Sequence, residues 1–155
     1  MKTLVVYYSR TGTTKKAAED LAAELKCDIE EVFDAKDRNG AMGFIMAGKD
    51  ATMKALTKLK ETKSDPSRYE LVVVGTPVWA GNVSTPIRTY LGANKASLRK
   101  VAFFCTQGRT GSEDAFREMA SLCAINPLAT LALASSEAGK DASRVKVREF
   151  AAKIR

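Results

Sequence analysis

Four hydroxyls and one glycine crowd into the segment Tyr8-Ser9-Arg10-Thr11-Gly12-Thr13-Thr14. Ser9, Thr11, Thr13 and Thr14 can each donate a hydrogen bond to an anionic oxygen. Gly12 lets the backbone turn and approach a ligand with no Cβ in the way. Hydroxyls also serve as helix N-caps, but capping uses one or two of them, not four around a glycine. The set suits a phosphate group. It contains neither Gly-x-x-x-x-Gly-Lys-Ser/Thr nor Gly-x-Gly-x-x-Gly, so a Walker-type ATPase and a dinucleotide fingerprint are both unsupported. Two later segments repeat the mixture of glycine and polar residues. One is Gly75-Thr76-Pro77-Val78-Trp79-Ala80-Gly81-Asn82, with the chain's only Trp; the other is Thr106-Gln107-Gly108-Arg109-Thr110-Gly111. The chain has no His, which removes Ser-His-Asp and Cys-His mechanisms.

These segments need elements to hold them. Lys2 to Tyr7 reads as a buried strand, and Ala17, Ala18, Leu21, Ala22 and Leu25 recur at helical spacing over Thr13 to Lys26. The first segment is therefore a strand-to-helix turn, where unpaired N–H groups and the helix dipole favour an anion. Asp28 to Phe33 is expected as an edge strand, because Glu30 and Glu31 do not suit a strand buried on both faces. Gly40 to Leu59 is read as a crossover helix packed on the sheet, with Met42, Phe44, Ile45, Met46, Met53, Leu56 and Leu59 as core; an apolar lid over a ligand is the other reading weighed. Tyr69 to Val74 is the most continuous apolar run and reads as the central strand, with Trp79 in the loop beyond it. Thr85 is expected to cap a helix with Pro86 at its first position. Lys100 to Thr106 and Leu128 to Leu133 are the remaining strands. The helix beginning Ser112-Glu113-Asp114 is expected to bury Phe116, Met119, Ala120 and Cys123. The last helix is expected to bury Val147, Phe150, Ala151 and Ile154.

Five strand–helix alternations imply an α/β fold: a three-layer sandwich, with a five-stranded parallel sheet of order 2-1-3-4-5 and helices on both faces. A chain of 155 residues fits one domain, residues 1–155. In such sheets ligands bind beyond the carboxyl ends of strands, where the winding reverses. Residues 9–14, 76–82 and 106–111 would meet there. No apolar run reaches the roughly 18 residues of a membrane helix, and no signal-peptide pattern is present. Cys27, Cys105 and Cys123 are widely spaced and form no Cys-x-x-Cys pair, which fits reduced thiols in a cytoplasmic protein. The net charge of +7 is spread along helix faces without a nucleic-acid-recognition pattern, so neither nucleic acid nor membrane is an expected partner.

Ser/Thr-x-Thr-Gly-x-Thr after the first strand, together with Gly-Thr-Pro-Val-Trp-Ala-Gly after the third, resembles the flavodoxin family in its short form. The resemblance covers the whole chain and implies FMN as cofactor. It assigns Ser9, Arg10, Thr11, Gly12, Thr13 and Thr14 to the FMN phosphate. Thr76, Pro77, Val78, Trp79, Ala80, Gly81 and Asn82 would cover one ring face, with Trp79 stacking. Thr106, Gln107, Gly108, Arg109 and Gly111 would contact the pyrimidine edge. It implies a carrier of low-potential electrons, as monomer or weak dimer, between redox partners that dock through acidic surfaces. An FMN-dependent NAD(P)H:quinone or nitro-compound reductase is the alternative. The third segment has Arg109 where many relatives carry an aromatic, and Arg10, Arg88 and Arg109 are expected near the ring.

Overall fold

A computed structural model describes all 155 residues. The first strand, β1 (Thr3–Tyr7), is apolar on both faces, and its last four residues are buried. Strands β2 (Asp28–Glu31), β3 (Leu71–Trp79), β5 (Lys100–Gln107) and β6 (Thr130–Ala134) join it in one parallel sheet of spatial order β2-β1-β3-β5-β6. Counting only parallel strands, this is the expected 2-1-3-4-5. A two-residue strand, β4 (Asn82–Val83), folds back antiparallel on β3, pairing Val78 with Val83 and Trp79 with Asn82. The register sets Val5 beside Val73 and Val73 beside Ala102, so the sheet centre is dry on both sides.

Helices α1 (Thr13–Leu25) and α5 (Asp141–Ile154) cover one face. Ala17, Ala18, Leu21, Val147, Phe150, Ala151 and Ile154 pack there on Val5, Val73 and Phe104. Helices α2 (Gly40–Thr52), α3 (Thr85–Asn94) and α4 (Ser112–Cys123) cover the other. Ala47, Ala51, Ile87, Leu91, Met119 and Cys123 pack there on Val6, Val72 and Phe103. Every connection between neighbouring parallel strands is a helix crossover, which leaves the strands' carboxyl ends as a common rim.

Several expectations change. The third strand does not stop at Val74 but runs on through Thr76, Pro77, Val78 and Trp79, because β5 and β4 still pair with it there. Trp79 is thus a strand residue, 8% exposed, rather than part of a loop. The cap of α3 is Ser84, not Thr85, so Pro86 sits at the second helical position. The second strand ends at Glu31. The last strand begins at Thr130, leaving Leu128 exposed. In α4, Ala115 joins Met119 and Cys123 as the buried stripe, while Phe116 and Ala120 are half-buried at its flank.

The largest change concerns residues 40–59. Helix α2 ends at Thr52, Met53 and Lys54 turn the chain, and the segment leading to Leu59 returns beside residues 33–35, with Ala35 donating to the Lys58 carbonyl and Lys60 to that of Phe33. The buried residues of α2 are Gly43, Ala47 and Ala51, spaced four apart. Met42, Phe44, Ile45, Met53 and Leu56 are between 62% and 71% exposed, so the expectation that they form core is overturned. The reason is steric. An added Cβ at Gly43 would stand 2.1 Å from the Arg38 backbone, so this helix seats by its small residues and turns its large ones outward.

Glu30, on the edge strand, is buried nonetheless. Its carboxylate accepts the backbone N–H groups of Lys63 and Ser64, which ties the return segment to β2.

Candidate functional site

The start of α1 lies directly beyond β1. Gly12 is its N-cap with φ of 97°, and no side chain caps its first N–H groups. Ser9 Oγ accepts the Gly12 N–H at 3.0 Å, which closes the turn and leaves the Ser9 hydroxyl hydrogen free to donate. Thr11 is exposed and Thr13 half-buried at the same opening. Thr14 behaves differently. The residue is 1% exposed and its hydroxyl lies 2.8 Å from that of Thr106, so it ties the first loop to the end of β5.

These residues open into a cleft of about 260 Å³. Ser9, Arg10, Thr11, Thr13 and Thr14 line one end. Pro77, Val78 and Trp79 form a wall, and Thr106, Gln107 and Gly108 the far side. Gln107 is held on both its groups: its side-chain Oε1 accepts Ser112 N–H at 3.0 Å, and its carbonyl accepts Ser135 N–H at 2.7 Å. Two lining residues were not among those expected, Phe44 and Ser135. Phe44 could have been found from the apolar cluster around Met42, under the lid reading; nothing in the sequence singles out Ser135.

The other expected residues fall elsewhere. Thr76 is fully buried, donating to Ser84 Oγ at 2.9 Å and accepting Ser84 N–H at 3.0 Å, so its hydroxyl braces the start of α3. Ala80 and Gly81 form the β3–β4 turn, both with positive φ (49° and 77°), and Asn82 Nδ2 donates to the Ala80 carbonyl at 2.8 Å. With Asn82 they line a second, larger cleft of about 630 Å³ between α3 and α4. Arg88 belongs to that cleft and not to the first. It is 6% exposed and paired with Glu118, which corrects its expected place near the ring. Arg109 is exposed on the third loop and lines neither cleft. Gly111 sits where the second and third loops touch: a Cβ there would be 2.8 Å from Val78 Cγ1 and 3.0 Å from Gly81 Cα.

Trp79 is engaged on the core side. The Tyr8 ring meets it edge-on at 5.4 Å, and the Arg38 guanidinium lies 5.3 Å from its centroid. Arg38 is itself buried between Asp34 at 2.5 Å and Asp50 at 2.8 Å. Burial, reinforced by the nearby Asp34 charge, pushes the Tyr8 phenol up to about 12, so it stays neutral. Burial likewise pushes the Cys105 thiol up to about 12, and this strand cysteine is no nucleophile.

A parallel α/β sheet whose winding reverses beside an uncapped, hydroxyl-ringed helix start defines a protein of the doubly wound α/β class. The family model described as Flavodoxin matches residues 2–136, and the chain belongs to the flavodoxin family. Among solved structures, a flavoprotein in complex with FMN from Lactobacillus acidophilus superposes with a TM-score of 0.75 at 29% identity, covering 88% of this chain and 95% of that one. Oxidised flavodoxin 2 from Bacillus cereus gives 0.63 at 16% identity, covering 99% and 97%. Rubredoxin oxygen:oxidoreductase from Desulfovibrio gigas gives 0.59 at 15% identity, covering 99% of this chain but 35% of that one. At these two lower identities the likeness is one of fold. No curated protein sequence matches the chain. No helix is long and apolar enough to cross a membrane.

Proposed function

We propose that this chain binds FMN and carries electrons between redox partners. One observation carries the reading. The uncapped start of α1, with the Ser9, Thr11 and Thr13 hydroxyls, opens into the same cleft as the apolar wall Pro77–Trp79 and the polar edge Gln107–Gly108. The donor set fits the cofactor in order: hydroxyl and N–H donors for a phosphate, an apolar side wall for a ring system, and main-chain polar groups for its hydrogen-bonding edge. FMN, when bound, supplies the redox chemistry. The chain supplies the rest. Ser9, Arg10, Thr11, Gly12, Thr13 and Thr14 hold and position the phosphate end. Pro77, Val78 and Trp79 at the end of β3 and Thr106, Gln107 and Gly108 at the end of β5 frame the ring end, with Thr76 bracing the first from behind and the turns Ala80–Asn82 and Arg109–Gly111 continuing beyond them. The net charge of +7 favours partners with acidic docking faces.

A second reading, a small NAD(P)H-dependent reductase of quinones or nitro compounds, draws on one feature. The 630 Å³ cleft adjoins Ala80–Asn82, giving a second molecule room beside the ring end. Stepwise anaerobic reduction of the FMN-loaded chain, followed by visible absorption, separates the two. Two resolved one-electron stages are expected for a carrier. A single two-electron transition, with NAD(P)H oxidation on adding a quinone, would favour the reductase. Failure to bind FMN at all would overturn both.

A further inference from the structure

The geometry points to Phe44, steadied by Arg10, as the aromatic cover of the flavin ring in this chain, a role the sequence pattern would give to Trp79. This inference rests on the FMN reading above. Trp79 is 8% exposed, with the Tyr8 edge and the Arg38 guanidinium against its ring, so little of the indole is available to a ligand. The position after it is Ala80, which has no ring to offer. The third loop, Gln107 to Gly111, has no aromatic either. The one exposed aromatic that lines the 260 Å³ cleft is Phe44, 65% open.

Its placement is built rather than incidental. Gly43 seats α2 against the Arg38 backbone so closely that a Cβ would collide, and Ala47 and Ala51 continue that contact. The next residue is thereby set at the cleft mouth at a fixed height. The Arg10 guanidinium carbon lies 5.4 Å from the Phe44 ring centroid, and Arg10 Nη1 donates to the Arg38 carbonyl at 3.3 Å. Arg10 thus links three things: the phosphate loop it belongs to, the chain entering α2, and the ring of Phe44. A large apolar ring held by a cation and left mostly in water gains most when a flat ligand covers it.

The test is titration of the purified full chain with FMN, reading both the dissociation constant and the visible band and emission of the flavin at saturation. Phe44→Ala is expected to weaken FMN about tenfold, the loss of one stacked ring together with its buried area. It should also raise the emission of the bound flavin, since an aromatic neighbour quenches it. Phe44→Tyr should restore both. Unchanged affinity with an unchanged spectrum would overturn the inference. So would weakened affinity with an unchanged spectrum, which would place Phe44's effect at the phosphate end through Arg10, or a loss that Phe44→Tyr does not restore. Failure of the wild-type chain to bind FMN is a separate result, and it would remove the FMN reading and this inference together. Phe44 is exposed, so thermal melting of the apo variants should match wild type; a large drop would mark the residue as structural and overturn the assignment.

Discussion

Replacing Arg38 by Met tests what holds the α2 side of the cleft together. The guanidinium is 1% exposed and bonded to Asp34 and Asp50, with Trp79 at its face. Met keeps much of the apolar stem but removes the charge, leaving the Asp34 carboxylate, 2% exposed, with only the neutral donors Thr57 Oγ1 at 2.8 Å and Lys36 N–H at 2.9 Å. Breaking a buried pair in this way costs about 3–5 kcal/mol. The lower end applies, because Asp50 is 19% exposed and keeps Lys36 at 3.1 Å. Arg38 also has an unpaired buried Nη2, whose removal gives back about 1 kcal/mol. The net loss is about 2–3 kcal/mol. For a urea slope of roughly 2 kcal/mol/M this lowers the midpoint by about 1–1.5 M. Trp79, the sole tryptophan, reports directly on the site, and far-UV circular dichroism reports on the whole fold. Adding Asp34→Asn to the Arg38→Met background should recover at least about 1 kcal/mol, since the pair is coupled. A midpoint within about 0.3 M of wild type, or strictly additive losses, would show that the cluster contributes no net stability.

Other expectations follow from single contacts. Gly75→Ala would put a Cβ 2.0–2.5 Å from the ring atoms of fully buried Phe104, so it should cost about 1–3 kcal/mol, and Phe104→Leu should relieve most of that in thermal melting. Thr14→Val strands the buried Thr106 hydroxyl and should destabilise the apo chain by about 1–3 kcal/mol, with Thr14→Ser milder; equal melting temperatures would refute the bond. Burial opposes ionisation of Asp50, but hydrogen bonds from Arg38 and Lys36 outweigh it and hold the carboxyl below its ordinary 3.8. A depressed carboxylate contributes stability above its unfolded value and loses it as pH falls through the folded one. Acidification below about pH 4 should therefore loosen α2, seen as lower hydrogen-exchange protection over 40–52 once the intrinsic exchange rate at each pH is divided out, and protection unchanged down to about pH 2 would count against it.

Much of the scaffold was legible because parallel strands buried on both faces need unbroken apolar runs, and β1, β3 and β5 supply them. The strand–helix turn at residues 9–14 was legible too, since hydroxyls clustered around a glycine ahead of a helical pattern mark such a junction, and Gly12 does take the left-handed cap there. What escaped reading depends on neighbours distant in sequence. Trp79 looked like a loop residue because Gly75 and Pro77 punctuate the run, yet β5 pairs with the strand as far as Pro77 and β4 carries it to Trp79. Helix α2 broke the rule that large apolar residues go inside, because backbone proximity to Arg38 selects for Gly43. Arg88 was expected near the ring, but α4 brings Glu118 to it from thirty positions away. Pairings of this kind are set by tertiary packing, which local pattern does not encode.

The small-residue seat of α2 separates two tasks that most helices combine. Contact with the core depends on Gly43, Ala47 and Ala51, which offer almost no side chain to vary. Met42, Phe44, Ile45 and Met53 face outward and bear little of the packing. Substitutions at the outward positions therefore leave folding almost untouched while changing the rim that a ligand or partner meets. The chain carries a mutable border on an immutable hinge line, a layout through which descendants of one scaffold can diversify what they bind without first acquiring extra stability.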